Sequence, residues 1–218
     1  MSYSNIIFLK DVKSEFRTRV SFNTQLLFTI TTLSIILFAV GNESISIPTT
    51  ISFYWIVSIF AAMSGLSRVF VKEEERGTFL FLFQLASSQS VFIGKLLFNA
   101  IFTILVNFFI LILFSLFIDT FSANLFFILV MILGSIGIAS VSTIVAAIIS
   151  KVNSSTTLYT VLSFPILIPL LMTLIQASQL SIEGAFFSEM RGHFSFMIGY
   201  NISLILISLY LITYLWSE

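Results

Sequence analysis

Apolar residues run along this chain in long uncharged stretches, broken by short polar connections. Six stretches are long enough to matter: Phe22–Val40, Thr49–Ser67, Leu96–Ile118, Asn124–Ile149, Leu158–Leu180 and Met197–Trp216. A helix crossing a bilayer needs about 20 mostly apolar residues. Every Asp, Glu, Lys and Arg falls outside these runs, and one such charge at mid-bilayer costs about 2.5–3.5 kcal/mol. The pattern predicts an all-α integral membrane protein of six transmembrane helices, forming a single transmembrane domain over residues 1–218.

Composition strengthens this reading. The chain is 58% hydrophobic and 9% charged, against about 25% charged in soluble domains, so a water-exposed surface could not be covered. Its formal net charge of zero gives no footing for nucleic acid, and the absence of cysteine removes disulfides, thiolate metal sites and covalent heme attachment. The 26 phenylalanines are read as lipid-facing bulk.

The basic residues orient the spans. Lys10, Lys13, Arg17, Arg19, Arg68, Lys72, Arg76, Lys95 and Lys151 fall on one side and only Arg191 on the other, so the positive-inside rule places both termini in the cytoplasm. The connections Gly41–Pro48, Asp119–Ala123 and Ser181–Phe196 then lie outside, with Trp55 near one face and Tyr214 and Trp216 near the other as interfacial anchors. A cleavable signal peptide competes for the first forty residues, because Ala39 and Gly41 have the right spacing. The apolar run there is 19 residues, where the hydrophobic region of a signal peptide has about 7–15. Residues 4–20 carry Leu9, Val12, Phe16 and Val20 at helical spacing, with Lys10, Lys13 and Arg17 on one flank and Asp11 and Glu15 on another. That arrangement predicts an N-terminal amphipathic helix lying along the cytoplasmic interface, the alternative being a disordered basic leader.

The connection 68–95 is the most unusual segment. Lys72-Glu73-Glu74-Glu75-Arg76 is followed by Gly77-Thr78, then by Phe79–Leu85, which holds six apolar residues in seven and is too short to span. Ser87 and Ser88 offer N-caps for the helix that follows. The segment reads as a charged helix end, a glycine break, a short apolar helix and a capped re-entry. An apolar helix held outside the bilayer needs cover, either a groove on a partner protein or the membrane surface and its own bundle.

Glu73-x-Glu75-x-Gly77-Thr78, the short apolar helix and Gly94-Lys95-Leu96-Leu97 together resemble the first cytoplasmic loop of ABC-type export permeases. The small size, the amphipathic N-terminal helix and Ser163-Phe164-Pro165-Ile166-Leu167-Ile168-Pro169 in the fifth run narrow the resemblance to the heme exporter protein B family, across nearly the whole chain. Two departures stand out: Leu80 is apolar where the family usually has a polar residue, and Ala86-Ser87-Ser88 contains no proline. The resemblance implies a permease subunit for cytochrome c maturation in the bacterial inner membrane. It implies a short cytoplasmic coupling helix, with Glu73, Glu75, Gly77, Thr78, Phe79, Leu82 and Phe83 meeting a separate ABC ATPase subunit that binds the ATP. It also implies a homodimer, further maturation subunits and a heme chaperone as partners, and heme as the candidate substrate of the complex. An export permease for a polysaccharide, lipid or drug, or a non-transporting assembly scaffold, are the rival functions.

Other features narrow the chemistry. Pro165 and Pro169 share one helical face and remove two backbone donors, which predicts a helix kink; a place near the translocation path and ordinary tolerance are both open. Gly134, Ser135, Gly137, Ala139 and Ser140 predict close helix packing. His193, in the last outer connection beside Arg191, is a candidate heme ligand, with an ordinary loop residue as the plainer reading. No G-x-x-x-x-G-K-[ST] motif is present, so ATP hydrolysis falls to a partner, and the chain is read as no enzyme. No acid or base stands inside a run, which argues against a proton-coupled carrier.

Overall fold

The computed structural model describes residues 3–41, 43, 45–66, 70, 73, 86–152 and 156–216. Among these residues the chain forms seven helices and no strand: α1 (Tyr3–Thr18), α2 (Val20–Val40), α3 (Ile47–Leu66), α4 (Ser88–Phe117), α5 (Leu125–Val152), α6 (Thr156–Ile182) and α7 (Phe187–Leu215). Helices α2 to α7 are each long and apolar enough to cross a membrane, six in all, as the six uncharged runs predict.

The fold is organised around α5, which packs against α3, α4, α6 and α7. Its small residues permit this. A Cβ on Gly134 would come within 2.5 Å of the Trp55 ring, and one on Gly137 within 2.4 Å of Leu170, so α3 and α6 approach the α5 backbone directly. Trp55 is therefore an interior residue that donates to Ser178 Oγ at 3.0 Å, not an interfacial anchor. Phenylalanine divides likewise: Phe92, Phe114 and Phe127 are buried, while Phe38 and Phe117 are exposed.

Helices overrun the uncharged stretches. The expected outer connection Ser181–Phe196 shrinks to the few residues between Ile182 and Phe187, because α7 begins ten residues before Met197. Met190, Phe194 and Met197 form a buried stripe while Arg191 faces out, and Glu189 in the first turn suits the positive end of the helix dipole. His193 thus lies half-buried on a helix and not in a loop. The tight turn before it depends on Gly184 at φ 80°, which supplies the left-handed residue that ends α6.

At the other end of the bundle, Ser87 caps α4 as expected, its side chain accepting from the Ser90 N–H at 3.3 Å. Pro165 and Pro169 lie inside α6, both exposed, so they face away from the bundle interior.

Candidate coupling site

Helix α1 packs chiefly on α4, and the seam begins at Gly94. A Cβ there would sit 2.7 Å from the Ser4 carbonyl oxygen and 2.9 Å from Ile7 Cβ, closer than real side chains approach. Ile7 and Glu15 are buried on this face. The expected stripe of Leu9, Val12, Phe16 and Val20 does not bury as one: Val12 packs against the core, whereas Leu9, Phe16 and Val20 are exposed with Tyr3 and Ile6. The helix therefore has two apolar sides, one on the bundle and one facing outward beside Lys13 and Arg17.

Next to Gly94, Lys95 is almost wholly buried, at 1% exposure. A buried ammonium must be paired, and its partners come from two other segments. Lys95 Nζ lies 3.3 Å from Asp11 Oδ2 on α1 and 3.6 Å from Glu73 Oε1 in the connection between α3 and α4, with the Phe70 ring centroid 5.2 Å away as a cation–π contact. Lys10 Nζ bonds the same Glu73 oxygen and lies 3.5 Å from Asp11. Among the described residues, two lysines and two carboxylates thus form a cluster joining α1, α4 and the connection. Both carboxylates are committed to lysines, so the cluster is not built to take a metal cation. Among the described residues, no group of three or more His, Cys, Asp or Glu is placed to hold a metal.

Of the residues expected to meet an ATPase, Glu73 belongs to this cluster, its carboxylate engaged with Lys10 and Lys95. Glu75, Gly77, Thr78, Phe79, Leu82 and Phe83 lie outside the described residues. Pro165, Pro169 and His193 stand apart from it on α6 and α7.

The join between α1 and α2 is also specified. Arg19 adopts φ 54°, an uncommon left-handed conformation for a residue other than glycine. Its N–H donates to the Glu15 carbonyl at 2.6 Å, and Glu15 Oε1 accepts from the Phe22 N–H at 2.8 Å. A carboxylate thereby caps the first turn of α2.

Sequence reasoning missed a second polar system inside the bundle. Asn107 on α4 accepts from Ser58 and donates to Ser135 Oγ at 2.8 Å, while its carbonyl receives the Tyr54 hydroxyl at 3.2 Å. Asn99 donates to Thr143 at 2.8 Å, and Asn201 donates to the Leu133 carbonyl at 3.0 Å. Asn99, Thr103 and Asn107 recur every four residues, the legible sign of a polar stripe facing other helices.

Compared with known families, residues 2–214 match the family model described as CcmB protein. No curated protein matches the chain. Because the match spans nearly the whole sequence, the chain belongs to the CcmB family, the heme exporter protein B permeases of cytochrome c biogenesis.

Proposed function

We propose that this CcmB-family chain is the membrane half of an ABC transporter in the bacterial inner membrane, with both termini cytoplasmic. A separate ATPase subunit docks on the connection between α3 and α4. The family match over residues 2–214 carries this reading. Supporting it, the connection enters the bundle through Glu73, which is clamped to α1 and α4 by Lys10 and Lys95. A loop secured at its root can pass on a displacement. Two copies of the permease and two ATPase subunits would form the machine. ATP would act through its different affinity for two states of that assembly, coupling hydrolysis to heme export or to release of a heme-loaded chaperone among the other maturation subunits. The outward side of α1, apolar and flanked by Lys13 and Arg17, suits the cytoplasmic lipid interface.

The test targets the apolar segment after Gly77. Phe79 and Leu82 are three residues apart, hence on one face of a helix. Replacing both by Asp is expected to leave membrane abundance normal, to weaken co-purification of the ATPase and to abolish cytochrome c maturation, because unpaired charge at an interface centre costs several kcal/mol. Full ATPase binding with full maturation in the double variant would overturn the docking reading.

A further inference from the structure

We infer that Lys95 is a positioning residue that locks α1 to the α3–α4 connection, so that displacement of the connection is passed through α1 to α2. The inference rests on the proposed docking of an ATPase on that connection and adds the path by which the motion enters the bundle.

Three observations define the path. The first is the clasp itself. Lys95 and Lys10 both engage Asp11 and Glu73, so α1 and the root of the connection share their counter-charges. Separating them would leave a buried ammonium without its full set of partners, and a movement that keeps them together is favoured. Gly94 brings α1 into direct backbone contact with α4 beside the clasp.

The second is the joint. Arg19 at φ 54°, held through Glu15 to Arg19 N and Phe22 N, fixes the direction in which α2 leaves α1. A shift of α1 is therefore inherited by the first turns of α2.

The third is the one-sided packing of α2, chiefly on α3. Along its 21 residues only Ser21, Gln25, Thr29 and Leu33 are buried, whereas α3 buries a dozen of its 20, from Thr50 to Leu66. Both amide atoms of Gln25 and the hydroxyl of Thr29 are buried with no hydrogen-bond partner. The Gln25 amide lies against Gly65, where a Cβ would meet its nitrogen at 2.0 Å. A cavity of about 480 Å³ opens between α2 and α4, lined by Ile30, Leu33, Leu37, Leu113 and Phe117. A span with unsatisfied interior polar groups and space beside it gains hydrogen bonds by moving to a position where they are paired. Held at its joint and packed along one side, chiefly on α3, α2 is the span that can be driven.

The chain contains no cysteine, so spin labels can be placed at Lys13→Cys on α1 and Ser122→Cys at the opposite end of the bundle. Distances are then measured in the complete complex in lipid nanodiscs, with and without a non-hydrolysable ATP analogue. The native background should show a nucleotide-dependent shift. Lys95→Met should reduce that shift to less than half while the ATPase still co-purifies, and Lys95→Arg should restore it. If Lys95→Met does not accumulate, the same loss is expected in Lys95→Met combined with Asp11→Asn and Glu73→Gln, in which the one cluster charge that remains is that of the more exposed Lys10. An equal shift in the native and Lys95→Met backgrounds, or no shift in a native complex that retains its ATPase, overturns the inference. Absence of the ATPase from the purified native complex overturns the docking reading and the inference with it.

Discussion

At the end of the bundle that carries α1, the closure is ionic: Lys10, Asp11, Glu73 and Lys95 meet across three segments. At the short-turn end it is made by neutral groups and rings. Asn124 caps α5 through the Phe127 N–H at 2.9 Å and binds Ser181 by both its amide oxygen and nitrogen. Thr50 and Thr120 pair at 3.2 Å. The Tyr54 ring packs on Phe114, Phe121 and Phe127 at centroid distances of 5.2–5.7 Å. Shifting a ring-filled end opens a cavity, which close-packed interiors resist. An ionic cluster can move as a unit without losing packing, provided its charges stay matched. On the proposed coupling, one end holds still and the other moves together.

The sharpest break in this contrast comes from unmatching the charges. Asp11→Ala with Glu73→Ala takes two carboxylates from the buried Lys95 ammonium, a loss of about 3–5 kcal/mol. Membrane abundance should fall several-fold, read by immunoblot of isolated membranes. The variant Lys95→Met, Asp11→Asn, Glu73→Gln should accumulate close to the native level, since it removes every charge of the buried part of the set and leaves only the more exposed Lys10. Equal abundance of the two variants would show that the cluster is well solvated and not the ionic closure described.

At the short-turn end the expected loss is smaller. Asn124→Ala removes a helix cap and the bonds to Ser181, worth about 1–2 kcal/mol together. The thermal midpoint of the detergent-solubilised protein should drop by a few degrees, with cytochrome c maturation retained. Loss of maturation at normal stability would mean that this end takes part in the working motion.

The contrast also marks what the sequence could show. Helix number followed from uncharged runs, because lipid penalises each charge independently of its neighbours. Helix ends did not, because Arg191 and Glu189 sit on the polar side of a helical extension where the charge rule is silent. Lys95 was legible only as a basic residue beside a span. Its partner Asp11 is 84 positions away, and nothing local announces the pairing. The Gly94-Lys95 pair held a signal in retrospect: the glycine admits α1 and the lysine clasps it. Trp55 misled because aromatic residues near a span end suit the interface and the interior equally, and only the bare backbone of Gly134 decides between them.

The smallest expected effect is at His193, and it tests whether the short-turn end is as passive as the contrast requires. The residue lies on the second turn of α7, half-buried, far in the chain from the ionic cluster and outside its contacts. Iron ligation by histidine depends on an imidazole held in place by surrounding groups. Among the described residues, His193 belongs to no group of metal-ligating side chains and makes no hydrogen bond that would fix its ring. Substitutions at such positions usually change stability by no more than about 0.5 kcal/mol, equivalent to roughly a twofold change in an equilibrium. His193→Ala should therefore keep holo-cytochrome c within about twofold of the native level, measured by heme stain at matched permease abundance. A clear loss of holo-cytochrome with normal abundance would place heme or its carrier at this end, and α7 would then join α1 and α2 among the working parts.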